Sequence, residues 1–147
     1  MRVVIQRVNS ATVSVHNKNV GLINKGLLLY VGFERGDTRN VIDYIAEKIL
    51  NFRIFPDSNG KMGRSILEVD GGSILSISQF TLASNVKRGR RPDFTNAMEP
   101  DEAETLYNEF NLKLSQNINL EKGIFGATMN VLSVNDGPVT FILEKKF

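Results

Sequence analysis

The sequence contains no cysteine, and its 147 residues include one histidine, His16. Without cysteine there is no disulfide, no thiolate nucleophile and no thiolate metal site. Zinc needs several His or Cys ligands, so one histidine predicts no metal centre, and nothing else calls for a cofactor. His16 lies in the polar run HNKN, where turn-tip composition points to a solvated side chain rather than the base of a Ser-His-Asp triad. No stretch of 18 apolar residues occurs, so no membrane-spanning helix is expected. The opening MRVVIQRV alternates like a strand and lacks the apolar core and small-residue cleavage site of a signal peptide; a cytoplasmic location is the default expectation. Chemistry is left to hydroxyls, amides, backbone N–H groups, charges and the substrate's own groups.

What is present is globular. Apolar residues make up 41% of the chain and charged residues 23%, enough to bury a core within one domain spanning 1–147. Net charge is only +2, but Lys87, Arg88, Arg90 and Arg91 crowd into VKRGRRP, and acids crowd into EPDEAE at 99–104.

Periodicity assigns the elements. Residues 3–8 and 11–23 read as strands with a polar turn at 16–19, and GLLLYVGF at 26–33 as a buried strand. Ile42, Ile45, Ala46 and Ile49 share a helical face behind an N-cap at Asp37 or Thr38. SILEVDGGSILSISQFTLAS reads as two strands about an Asp70-Gly71-Gly72 hairpin turn. A second helix begins at Pro100, with Ala103, Leu106, Tyr107, Phe110 and Leu114 on one face. The acidic run there complements the helix dipole, which accounts for it structurally. Two further strands, GATMNVLSV and PVTFILEKKF, close the chain. The expectation is an α+β single domain with a mainly antiparallel, curled, barrel-like sheet and two helices.

Two stretches interrupt the strand pattern. In SISQFTL, at 76–82, the apolar phase slips at Ser78-Gln79. A β-bulge that frees backbone N–H groups would do this, and so would an ordinary half-buried strand with a polar outer face. In NDGPVT, at 135–140, Asn135-Asp136-Gly137 has turn chemistry. Pro138 lacks the N–H of a central strand residue and fits a strand start, an edge or a bulge. From the residues alone the Gly137–Pro138 bond is expected trans.

Together, SQFTL and NDGPVT at this separation resemble the two signature motifs of the D-aminoacyl-tRNA deacylases, the D-tyrosyl-tRNA deacylase family. MRVVIQRV, GLLLYVGF, the basic loop leading to RPDF, and GIFGATM fit as well, so the likeness covers essentially the whole chain. The resemblance implies hydrolysis of the ester between a D-amino acid and the terminal adenosine of tRNA, with no cofactor. It implies a homodimer in which a cis Gly137–Pro138 projects into the partner's active site, with Arg7 helping to hold that loop. L-amino acids would be refused there by rigid main chain. Glycine, having no side chain, would pass, so glycyl-tRNA mischarged on tRNA(Ala) is a further expected substrate.

The resemblance places Ser78, Gln79, Phe80 and Thr81 under the ester, and Phe125 and Met129 in the pocket wall. For Met129, ordinary core packing is the alternative. Lys87, Arg88, Arg90 and Arg91 would meet phosphates at the tRNA acceptor end; DNA and membrane partners are not expected. Two mechanisms remain open. Thr81 Oγ could attack the ester, which needs an adjacent base. Alternatively, water attacks while backbone N–H groups around Ser78–Thr81 hold the oxyanion and the adenosine 2′-OH assists. The second suits a chain without an obvious base. Two rival readings are a non-catalytic basic RNA-binding domain and a related deacylase with a trans Gly-Pro and altered chirality choice.

Overall fold

The computed structural model describes residues 1–147. The chain forms β1 (Arg2–Val15), β2 (Lys18–Ile23), β3 (Gly26–Gly32), α1 (Arg39–Asn51), β4 (Phe55–Pro56), β5 (Met62–Arg64), β6 (Ser73–Ser78), α2 (Pro100–Ser115), β7 (Asn119–Lys122) and β8 (Asn130–Glu144). Two 3-10 turns, Ile66–Glu68 and Phe80–Ala83, flank β6. No helix is long and apolar enough to cross a membrane.

The result is an α+β fold with two α-helices. The main sheet runs β2-β1-β3-β6-β7, with β8 on the free edge of β1. β1 pairs antiparallel with β2, β3 and β8, whereas β3–β6 and β6–β7 are parallel. β2 packs back against β6 and β7, curling the sheet into a nearly closed barrel. β3 is apolar without alternation because both its faces are covered. Leu27 and Leu29 join the core beneath α1 and α2, while Leu28 faces the smaller cluster inside the curl, with Val8, Val13, Leu75 and Ile77.

Several local expectations are corrected. Residues 2–15 form one strand, and only His16 and Asn17, both at positive φ, make the turn to β2. Asp70-Gly71-Gly72 is not a hairpin turn, because Ile66–Glu68 is a 3-10 turn closed by a Ser65/Glu68 capping box and β6 pairs in parallel with β3. Thr38 is the N-cap of α1, whereas the Asp37 carboxylate pairs with the Met1 ammonium at 2.6 Å. The phase slip at Ser78-Gln79 is no bulge: β6 ends at Ser78 and a 3-10 turn begins at Phe80. β7 and the short β4–β5 pair were not expected.

NDGPVT is not a hairpin turn either. The segments before and after it both pair with β1, so β8 runs through the motif. Gln6 pairs with Thr140 and Val8 with Asn135, leaving residues 136–139 opposite Arg7 alone. Each residue of this excursion has a defined role. The Asn135 side chain accepts from Val139 N at 3.1 Å and donates to Val139 O at 3.3 Å, closing the loop as a strand partner would. Val139 is buried and anchors the loop to the core. Gly137 has φ +128, a conformation an L side chain rarely adopts, and an added Cβ would lie 2.7 Å from the Val139 side chain. The Gly137–Pro138 peptide is cis, not trans as the residues alone suggested, and both residues are exposed.

Two outcomes follow from this packing. A Cβ at Gly26 would lie 1.8 Å from Ser73 O, so Gly26→Ala will destabilise the protein by ~3 kcal/mol or more, read as a lower urea midpoint. Asn135→Ala strips Val139 of both side-chain partners at a cost of about 1–2 kcal/mol. Hydrogen exchange at the Val139 amide will then accelerate by roughly tenfold while core strands keep their protection.

Candidate active site

β3 and β6 run in parallel and end together, Val31 opposite Ser78. The ladder continues for one more bond, Gln79 N to Val31 O at 2.7 Å, before the chain tightens into the Phe80–Ala83 turn. Gly32 allows this, because a Cβ there would meet Gln79 O at 2.8 Å and Leu82 Cβ at 2.9 Å. Within that turn Leu82 N bonds to Gln79 O, so the N–H groups of Phe80 and Thr81 precede the first intrahelical bond and have no partner inside the turn.

Over these strand ends lies a mostly apolar cavity of about 500 Å³. Tyr30, Ile77, Ser78 and Gln79 from the strand ends line it, together with Phe33, Met98, Ala103, Phe125 and Met129. The base is braced from below: Tyr107, on α2, donates its buried hydroxyl to Ser76 O at 2.8 Å, and its ring lies 5.8 Å from that of Phe125. Burial pushes the Tyr107 phenol above its ordinary pKa, which keeps it a neutral donor. Met98 and Phe33 were not singled out from the sequence. They read there as generic apolar positions, and it is backbone pairing of residues 33–35 with 96–98, including Met98 N to Phe33 O, that brings them together.

The cavity thus gathers Ser78, Gln79, Phe80, Phe125 and Met129. Thr81 stands just outside, its Oγ1 accepting a hydrogen bond from Gln79 Nε2 at 2.6 Å. His16 lies in the β1–β2 turn and does not line the cavity.

Arg7, Gly137 and Pro138 also do not line the cavity of their own chain. Arg7 is a mid-strand residue, 8% exposed. Its Nη1 donates to Ile54 O at 2.7 Å and its Nε lies 3.1 Å from Asp136 Oδ2. Arg7 therefore ties the 136–139 excursion to the chain leaving α1, with the rigid fork geometry that a guanidinium provides.

Lys87, Arg88, Arg90 and Arg91 are exposed, and none forms an ion pair. Their loop is closed by a two-way backbone bridge between Asn85 and Asp93, at 2.8 and 3.0 Å. Phe94 follows at once, its ring centroid 5.1 Å from that of Phe80. The uncompensated positive charge therefore stands beside the cavity. The arrangement offers an apolar cavity, backbone donors at a strand-to-turn junction and a nearby cationic loop, suited to a small, largely apolar acyl group attached to a polyanion.

Comparison with known proteins agrees. The D-Tyr-tRNA(Tyr) deacylase family model matches residues 4–144. A solved chain described as c-Myc DNA Unwinding Element Binding Protein is 38% identical, with a TM-score of 0.94 and full coverage of both chains. A second, described as a probable eukaryotic D-amino acid tRNA deacylase, shares the fold at 20% identity, with a TM-score of 0.85 over 97% of each chain. The strand-end cavity, its SQFTL turn and the braced NDGPVT loop are thus set in a chain that belongs to the D-Tyr-tRNA(Tyr) deacylase family, hydrolases of aminoacyl-tRNA esters.

Proposed function

We propose that the protein hydrolyses D-aminoacyl-tRNA and glycyl-tRNA and refuses L-aminoacyl-tRNA, working as a homodimer. The observation that carries this reading is the Gly137–Pro138 loop. It is exposed and fixed from three sides, by Asn135, Arg7 and Val139, yet stands away from its own chain's cavity. A rigid main-chain surface with no task in its own subunit suits a wall for a neighbour's site. Such a wall reads the chiral centre rather than the side chain, so it can refuse one hand across many amino acids. Glycine presents no side chain to refuse.

The strand carrying the loop also supports pairing of two copies. β8 has β1 on one edge and no strand on the other. It exposes Leu132, Val134 and Ile142. A long, unprotected apolar edge strand is normally covered, and a second copy would cover it while bringing its loop toward the cavity.

In the reaction, water attacks the ester carbonyl, the N–H groups of Phe80 and Thr81 receive the developing oxyanion, and the ribose 2′-OH assists departure of the 3′ oxygen. Fixed donors of this kind supply catalysis without a side-chain base. The Thr81 hydroxyl has an amide donor as its hydrogen-bond partner, not a carboxylate or imidazole, which leaves it unactivated as a nucleophile. Phe125 and Met129 flank the terminal nucleoside, and the cationic loop meets phosphates of the acceptor end.

The purified protein should release D-amino acids and glycine from charged tRNA and leave L-aminoacyl-tRNA intact; absence of hydrolysis on every charged tRNA would support a purely RNA-binding role. Equal cleavage of D- and L-esters would remove the chiral wall. Thr81→Ala should keep activity within about tenfold, against the far larger loss that follows removal of a true nucleophile. Replacing Lys87, Arg88, Arg90 and Arg91 together by Gln should raise KM for tRNA. It should also flatten the log–log salt dependence of binding by about 3; an unchanged slope would place the phosphate contacts elsewhere.

A further inference from the structure

Phe80 and Phe94 form an aromatic pair that the cavity does not explain. A large apolar ring is normally buried, yet Phe80 is 60% exposed and Phe94 38%. Their rings meet at 50°, 5.1 Å apart, a tilted contact that leaves ring face open to solvent. Phe80 borders the cavity, whereas Phe94 lies on the side of the cationic loop.

The pair is also held still. Two backbone bridges frame Phe94, Asn85–Asp93 before it and Glu34–Ala97 after it. Ala97 N donates to Phe94 O at 2.9 Å. Asp93 accepts hydrogen bonds from the Thr95 hydroxyl and from Thr95 N, and these hold its carboxyl below the usual carboxylate range. Asp93 therefore stays ionised, but it pairs with none of Lys87, Arg88, Arg90 and Arg91, and one carboxylate against four cations leaves the loop in positive excess.

We propose that the Phe80–Phe94 pair is a stacking platform for an unpaired base next to the terminal nucleotide of a single-stranded RNA end, whose phosphates are met by Lys87, Arg88, Arg90 and Arg91. This rests on the reading that the cavity receives the aminoacyl end of tRNA. An open aromatic ring accepts only a base already free of a duplex stack. The uncompensated cations favour a polyanion over an apolar protein surface. Rigid framing removes most of the ordering cost of such a contact. Stacking needs no base-specific hydrogen bond, since every base has a π-face.

The test uses uncharged fluorescent RNA, so that it does not depend on catalysis. A hairpin bearing a single-stranded 3′-CCA end is compared with the same hairpin lacking that end. Phe94→Ala should weaken binding of the CCA hairpin about tenfold or more, as loss of one stacked base does. Its loss on the blunt hairpin should be far smaller. Phe94→Leu, which keeps apolar bulk, should resemble Phe94→Ala, and Phe94→Tyr should bind like the native protein. Native-like binding by Phe94→Leu, or equal losses on both hairpins, overturns the platform. So does a change in sedimentation of Phe94→Ala without a change in RNA affinity, which would assign the pair to a protein interface. Tight, Phe94-dependent RNA binding by a native protein that cleaves no ester would overturn the deacylase reading while leaving the platform standing.

Discussion

β1 has neighbours along both edges for nearly its whole length. β8 runs beside it from Arg2 to Ser14, and β3 and then β2 fill the opposite edge. A strand so enclosed cannot shift register without moving every side chain to the wrong face. The irregularities in the β1–β8 ladder, at Gln6/Val8 and Val8/Ser10, are therefore fixed in place. The first sets four residues of β8 opposite Arg7, and the 136–139 loop exists because the ladder on either side of it cannot give way. Arg7 then uses its guanidinium on Asp136 and on the carbonyl of Ile54, linking the loop to the segment behind α1.

The cavity follows from a different constraint, the parallel pairing of β3 and β6. Parallel strands that end together leave their last backbone groups facing the same way. Here the junction is compressed by the close approach of the Phe80–Ala83 turn to Gly32. It is supported beneath by the Tyr107 hydroxyl on Ser76 O. Catalytic groups held by main chain need a support of this kind, because small displacements of a donor are costly.

The two signature stretches share one physical style. In each, an amide side chain holds a neighbour in place: Gln79 donates to the Thr81 hydroxyl, and Asn135 pairs with the backbone of Val139. What they leave uncovered is main chain, namely N–H groups at one site and Gly137–Pro138 at the other. Main chain varies little in position and carries no rotamers, so both stretches present fixed surfaces. The clustered positive charge is kept apart on its own bridged loop.

The sequence by itself determined the helices, the apolar strands and, by holding no cysteine, the absence of thiolate chemistry, because these depend on local periodicity and on a residue type that is missing. α2 was legible from Pro100 and the spacing of Ala103, Tyr107, Phe110 and Leu114, all buried as expected. SQFTL and NDGPVT were legible as interruptions, and by resemblance as family motifs, but their form was not. Whether Asp70-Gly71-Gly72 joins an antiparallel pair or precedes a parallel strand depends on which strand β6 meets, and that partner lies far away in sequence. Whether NDGP reverses the chain or bulges from a continuous strand depends on β1, more than a hundred residues earlier. The position of Phe94 against Phe80, and of Arg7 beneath Asp136, was likewise decided by tertiary pairing, since residue type records what a side chain can do but not what it is placed beside.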